Sequence, residues 1–168
     1  MHSTTRSITC LAGLVMAVAV AGAQAAGTVQ VAYVQPDKFA DVGHTRWDVE
    51  ENLQRLTRHF ETLAEHHLSD GQKLSVEVLD VDLAGEVHRS RRWGQEIRVL
   101  TGSVDWPRIK LRYTLESDGK PARSGERQLQ DMAYLQRLGS TVGKDGLVYE
   151  YRLLDDWFNA EFGPAAAK

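Results

Sequence analysis

Asp80 and Asp82 stand at alternate positions of an apolar run, so a strand turns both carboxylates to one face. Glu77 precedes them and Glu86 follows. Two carboxylates on one strand face can hold a hard cation or share a proton, the chemistry of a metal-dependent enzyme or a small hydrolase. The spacing lacks the D-x-D-x-D-G loop of a calcium site, and a solvated strand face is the favoured reading. A second cluster is cationic. Arg89-Ser90-Arg91-Arg92-Trp93 falls in a polar stretch, residues 84–96, that reads as loop rather than strand or helix. Arginine forks grip carboxylate or phosphate, tryptophan offers a ring to stack on, and loops carry function more often than strands do. Surface arginines are common and one tryptophan can simply anchor a loop. The cluster is still the strongest binding candidate in the chain, suited to a small anionic ligand or an envelope protein.

Other chemistry finds less footing. His59 and His66 lie seven residues apart on one helical stripe, whereas a helical metal pair needs i,i+4 spacing. His66 and His67 are adjacent and point to different faces, so surface and boundary roles are expected and no metal site is assigned. No G-x-S-x-G marks a nucleophilic serine, and neither Ser124 nor Ser140 has a base beside it. Gly139, Gly143 and Gly146 are not followed by Lys-Ser/Thr, so no phosphate loop forms. Tryptophans 47, 93, 106 and 157 read as core and boundary residues, and no cofactor is implied.

The N-terminus has the zones of a cleavable export signal: Arg6, an apolar run over residues 8–20, and Ala23-Gln24-Ala25 as the cleavage site, with cleavage after Ala23 as an alternative. The run is shorter than the roughly 20 residues a bilayer-spanning helix requires. The sole cysteine, Cys10, lies near its start, too early for lipid attachment. Cleavage therefore predicts a periplasmic chain with no stable membrane anchor and no thiol, closed to disulfide, thiol and cysteine–metal chemistry.

Cleavage after Ala25 leaves 143 of the 168 residues, the size of one domain, and moves the net charge from −3 to −4 because only Arg6 is lost among ionised side chains. A mildly acidic, mixed-sign surface predicts no nucleic-acid binding.

The elements that must hold these residues follow from periodicity. Val29, Val31 and Tyr33 alternate with Gln30 and Ala32 as a first strand, stopped by Pro36, and residues 36–43 form a loop. Thr45 with Asp48 resembles a capping box, and Val49, Leu53, Leu56, Phe60, Leu63 and His67 then recur at helical steps until Ser69-Asp70-Gly71. Leu74, Val76 and Val78 alternate, and the phase then flips to Leu79, Val81 and Leu83, which predicts a β-bulge or a strand buried on both faces. Short and long strands are expected around residues 97–100 and 109–115. Asp118-Gly119 makes a hairpin turn into a polar return strand over 122–129, and residues 147–162 form a final helix. Strand, helix, strand, meander and helix together predict an α+β domain over residues 26–168: a mostly antiparallel sheet with two main helices on one face.

Six ordered segments give the chain a family likeness: Pro36-Asp37-Lys38-Phe39-Ala40-Asp41, Val76-Glu77-Val78-Leu79-Asp80-Val81-Asp82-Leu83-Ala84-Gly85, Asp105-Trp106-Pro107-Arg108-Ile109, Ser124-Gly125-Glu126, Asp131-Met132-Ala133-Tyr134 and Asp155-Asp156-Trp157-Phe158. They resemble a bacterial exported family known as domain of unknown function 3016, across nearly all of the mature chain. The resemblance implies a Gram-negative envelope setting and supplies no catalytic or binding residues. A looser likeness to small envelope auxiliary domains is fold-level analogy. The expectation is a non-enzymatic periplasmic binding or envelope-accessory module, with the enzyme built on the Asp80/Asp82 face as the alternative.

Overall fold

The computed structural model describes residues 27–89, 96–137 and 146–163. Its frame is a four-stranded mixed sheet of order β1-β2-β5-β6, built from β1 (Thr28–Tyr33), β2 (Gln72–Asp82), β5 (Arg108–Ser117) and β6 (Lys120–Gln130). β3 (Glu86–Arg89) and β4 (Glu96–Val99) form a separate two-stranded antiparallel sheet. Helix α1 (Arg46–His67) connects the parallel pair β1–β2, and α2 (Val148–Phe162) ends the described chain. The α+β class is as the sequence predicts.

Each main element forms where its pattern places it. Thr45 caps α1 through a full capping box: its hydroxyl accepts from the Asp48 N–H at 3.1 Å, and Asp48 accepts from the Thr45 N–H at 2.9 Å. The phase flip in β2 is a register shift between Val78 and Asp80, so Leu79 is the extra residue. This keeps Val78 (1% exposed) and Val81 (0%) on the inner face despite their odd spacing.

The core lies between that inner face and the two helices. α1 contributes Leu56, Phe60, Leu63 and Ala64, and α2 contributes Leu153, Leu154, Trp157 and Phe158. Adjacent Trp157 and Phe158 serve two partners. The Trp157 ring meets Tyr113 of β5 edge-on at 5.5 Å, and Phe158 packs on Phe60 of α1 at 6.3 Å. Their burial on both sides fixes α2 between α1 and the sheet.

One expectation is corrected. The polar stretch 84–96 is not simply loop, because Glu86–Arg89 pairs with Glu96–Val99 in continuous antiparallel register. Backbone pairing makes these strands, and three of the four side chains of β3 are exposed, so no apolar alternation marks it.

Candidate functional site

β1 does not simply end at Tyr33. The Val34 N–H still bonds the Val78 carbonyl at 2.9 Å, the chain leaves the sheet edge, and it returns at Asp41, whose N–H bonds the Val81 carbonyl at 3.0 Å. Residues 35–40 are therefore an excursion from an edge strand that otherwise runs along β2. It opens at Gln35, the one non-glycine with positive φ among the described residues (φ 57°, ψ 59°). Left-handed backbone costs a side-chain-bearing residue about 1 kcal/mol, which the surrounding structure must hold in place. A 3-10 turn, Pro36–Lys38, follows, and Phe39 then folds back onto the Tyr33 ring at 6.4 Å.

The excursion forms one lip of a cleft of about 760 Å³. The first turns of α1 form the other side, and Val87 of β3 closes one end. Its lining combines apolar side chains (Pro36, Phe39, Val42, Val49, Leu53) with the half-buried Asp41 and the exposed Asp37, His44, Arg46 and Glu50. Size and lining match ordinary ligand sites, which run roughly 300–1,000 Å³. A neighbouring hollow of about 530 Å³ shares Glu50 and Leu53 and continues along α1 past Tyr33.

Two side-chain contacts tie the β3–β4 sheet to this cleft. Arg98 of β4 grips both carboxylate oxygens of Asp41, at 2.8 and 3.1 Å, and the same guanidinium donates to the Ala84 and Gly85 carbonyls at 3.3 and 2.9 Å. His44 approaches Glu96 at 3.1 Å. Gly85 must be glycine: its φ is +81°, and a Cβ there would come within 2.6 Å of the Val99 carbonyl oxygen.

Behind Arg98 sits Glu150, 0% exposed, in the first turn of α2. Its Oε1 accepts from the Ala84 N–H at 2.7 Å, and its Oε2 has no hydrogen-bond partner among the described residues. Burial penalises its charge and lifts the carboxyl to about 7, against the pull of the Ala84 N–H, its own backbone N–H and Arg98. Asp105 is opposite in kind. Burial raises it, but donors from Thr101, Tyr134 and Ser103 outweigh that and hold it at about 2.

The sequence candidates fall elsewhere. Asp80 and Asp82 do share the outer face of β2, and both carboxylates are engaged: Asp80 accepts from the Ala40 N–H at 2.9 Å, and Asp82 is ion-paired with Arg108. Asp80 thus pins the far end of the excursion. Arg89 is an exposed residue of β3, 4.0 Å from Glu96. Arg91, Arg92 and Trp93 lie outside the described residues. Among the described residues, no three or more His, Cys, Asp or Glu side chains gather as a metal set. The helix histidines link α1 to α2: His59 meets Asp155 at 2.8 Å, and His67 donates from Nδ1 to the Gly163 carbonyl at 2.7 Å.

Arg98 and Glu150 were not singled out by sequence. Arg98 carries no signal, since it merely alternates with Ile97 and Val99. Glu150 does: it follows Leu147 by three and precedes Leu154 by four, a carboxylate on the apolar stripe of its helix.

Four of the six segments of the family likeness converge on this end of the sheet. The 36–41 segment bonds the 80–83 stretch, the Gly85 N–H bonds the Asp105 carbonyl at 2.9 Å, and Tyr134 shares a buried cluster with Ala84. The fold and cleft define a small α+β domain whose shared segments build the end of the sheet beside the cleft. The family described as "Protein of unknown function (DUF3016)" matches residues 27–160, and the chain belongs to it. No curated protein and no solved structure matches the chain.

Proposed function

We propose that this protein is exported to the periplasm by a cleavable signal and works there as a non-enzymatic binding or envelope-accessory module, with its ligand in the cleft between α1 and the 35–40 excursion. The observation that carries the reading is the excursion itself. An edge strand is interrupted, at the cost of a left-handed Gln35, to build the lip of the cleft. Strain of this kind collects where function needs it. Apolar side chains set beside charged ones favour a small amphipathic ligand, apolar in body and charged at one end.

The engagement of Asp80 and Asp82 within the fold supports binding over the enzyme alternative, since each carboxylate already holds structure. Export is supported by the N-terminal pattern and by the family match starting at residue 27, just past the proposed cleavage. Among the described residues no helix is long and apolar enough to cross a membrane.

The test uses the naphthalene dye 1-anilinonaphthalene-8-sulfonate, which has an apolar body and one anionic group. Saturable fluorescence enhancement is expected, and Val49→Asp should abolish it while circular dichroism stays unchanged. No enhancement, or the same enhancement in the variant, refutes the cleft as the site. N-terminal sequencing of the periplasmic form should begin at Ala26 or at Gln24.

A further inference from the structure

The β3–β4 hairpin is attached to the domain by polar contacts rather than by burial. No residue of Glu86–Arg89 or Glu96–Val99 is buried, and among the described residues the two strands pair only with each other. A lone two-stranded hairpin is marginally stable at best, so its contacts with the rest of the chain hold it in place. Val87 lies at one end of the cleft, His44 meets Glu96, and Arg98 joins Asp41 to the Ala84 and Gly85 carbonyls. Segments with few buried apolar contacts are the first to open. The hairpin is a flap at the end of the cleft, and Arg98 is its main latch.

Beside the latch lies a group whose charge changes. Glu150 is 0% exposed; one carboxylate oxygen takes the Ala84 N–H, and the other has no partner among the described residues. A carboxyl so enclosed is stable when protonated, because ionisation leaves a buried charge with too few donors. Burial lifts it to about 7; Arg98 favours the charged form and Asp41 disfavours it. The other groups around the bend keep one charge. Asp105, whose carbonyl takes the Gly85 N–H, is held at about 2 and stays ionised. Tyr134 and Tyr149, clustered with Ala84, are raised by burial and stay neutral. His44 is the exception, since its contact with Glu96 is an ion pair only when it is protonated.

We infer that the β3–β4 hairpin is a proton-controlled lid: protonated Glu150 keeps the Ala84–Gly85 bend and the Arg98 latch in place, whereas ionised Glu150 draws water to the bend and lets the hairpin swing from the cleft. The backbone that Glu150 binds is the backbone that Arg98 grips, so disturbing one disturbs the other. The cleft thus retains its ligand in acid and releases it faster as the pH rises. The inference rests on the cleft being the ligand site and adds the regulation of that site.

Two measurements on the same protein test it. Stopped-flow dissociation of 1-anilinonaphthalene-8-sulfonate should be about tenfold faster at pH 8 than at pH 5. Glu150→Gln keeps the acceptor for Ala84 without the charge and should show the slow rate at both pH values, while His44→Gln should keep the parent's response. Relaxation dispersion of backbone ¹⁵N should show millisecond exchange across both hairpin strands at pH 8, none at pH 5, and none in Glu150→Gln. Dye binding without this pH dependence overturns the lid and leaves the cleft as the site. No dye binding at either pH overturns the cleft, and the lid with it. A response that survives in Glu150→Gln and vanishes in His44→Gln overturns the role of Glu150. Should Glu150→Gln fail to fold, the ¹³C titration of the Glu150 carboxyl decides: hairpin exchange that does not follow its midpoint overturns the inference.

Discussion

Glu150 and Arg98 hold one short stretch of backbone from opposite sides. The Glu150 carboxylate takes the Ala84 N–H, and the Arg98 guanidinium takes the Ala84 and Gly85 carbonyls while also gripping Asp41. The bend from β2 into β3 is thus fixed by a helix on one side and by its own hairpin partner on the other.

Glu150 makes stability depend on pH. Its carboxyl titrates near 7 when folded and near 4.5 when unfolded, so between these values the folded chain binds the extra proton. Stability from this group is therefore full below about 4.5 and declines as the pH rises through about 7, by up to roughly 3 kcal/mol. Glu150→Gln keeps the acceptor for Ala84 and should flatten that slope, leaving the variant the more stable of the two at pH 8. Urea denaturation at pH 5 and pH 8 checks it, and equal slopes for both proteins would refute it.

Arg98→Ala removes the clamp without touching the main sheet. Charge-assisted hydrogen bonds contribute about 1.5–3 kcal/mol, and a loss near 2 kcal/mol is expected. Hydrogen exchange should locate it: amides of β3 and β4 lose protection, and those of β2 and β5 keep theirs. Arg98→Lys should rescue only partly, because an ammonium cannot span both oxygens of Asp41. Uniform loss across the domain would show that Arg98 does not act locally.

Gly125 leaves room for Tyr113. The two residues are cross-strand partners, and a Cβ on Gly125 would stand 3.0 Å from the Tyr113 ring and 3.2 Å from its hydroxyl oxygen. That hydroxyl donates to Glu161, which Arg127 also grips at 2.9 Å, so the tyrosine ties the sheet to the end of α2. Gly125→Val should cost about 1–3 kcal/mol by overpacking, despite the better strand propensity of valine. A variant as stable as the parent would refute this role.

Asp80→Asn with Asp82→Asn tests the enzyme alternative directly. The double variant should melt lower, because the Ala40 N–H and Arg108 lose charged partners. Neither protein should shift in melting temperature with added Mg²⁺, Ca²⁺ or Zn²⁺. A shift in the parent that vanishes in the variant restores the aspartates as a cation site.

The long elements were legible because local signals agreed with the packing. The capping box at Thr45 and Asp48 and the phase flip at Leu79 both appear where the pattern puts them. β3 was not legible, because its side chains are mostly exposed and only its hydrogen bonds to β4 make it a strand. The cleft was equally hidden. Its lip depends on the return of Asp41 to β2, and its closure depends on a contact between Asp41 and Arg98, 57 residues apart. Such long-range pairings leave no periodic trace in one sequence. Asp80 does lie on a strand face, as its alternation with Val81 and Asp82 implies, and its carboxylate binds the Ala40 N–H.

The interruption of the edge strand also says something about modularity. Between the bonds of Val34 to Val78 and of Asp41 to Val81, six residues stand opposite two. Shortening that insert would take Phe39 from its packing against the core and Ala40 from its bond to Asp80. The lip is thus part of the domain's own packing rather than a detachable graft, in keeping with its place among the segments that carry the family likeness, so a change of ligand preference made there also changes the fold's stability.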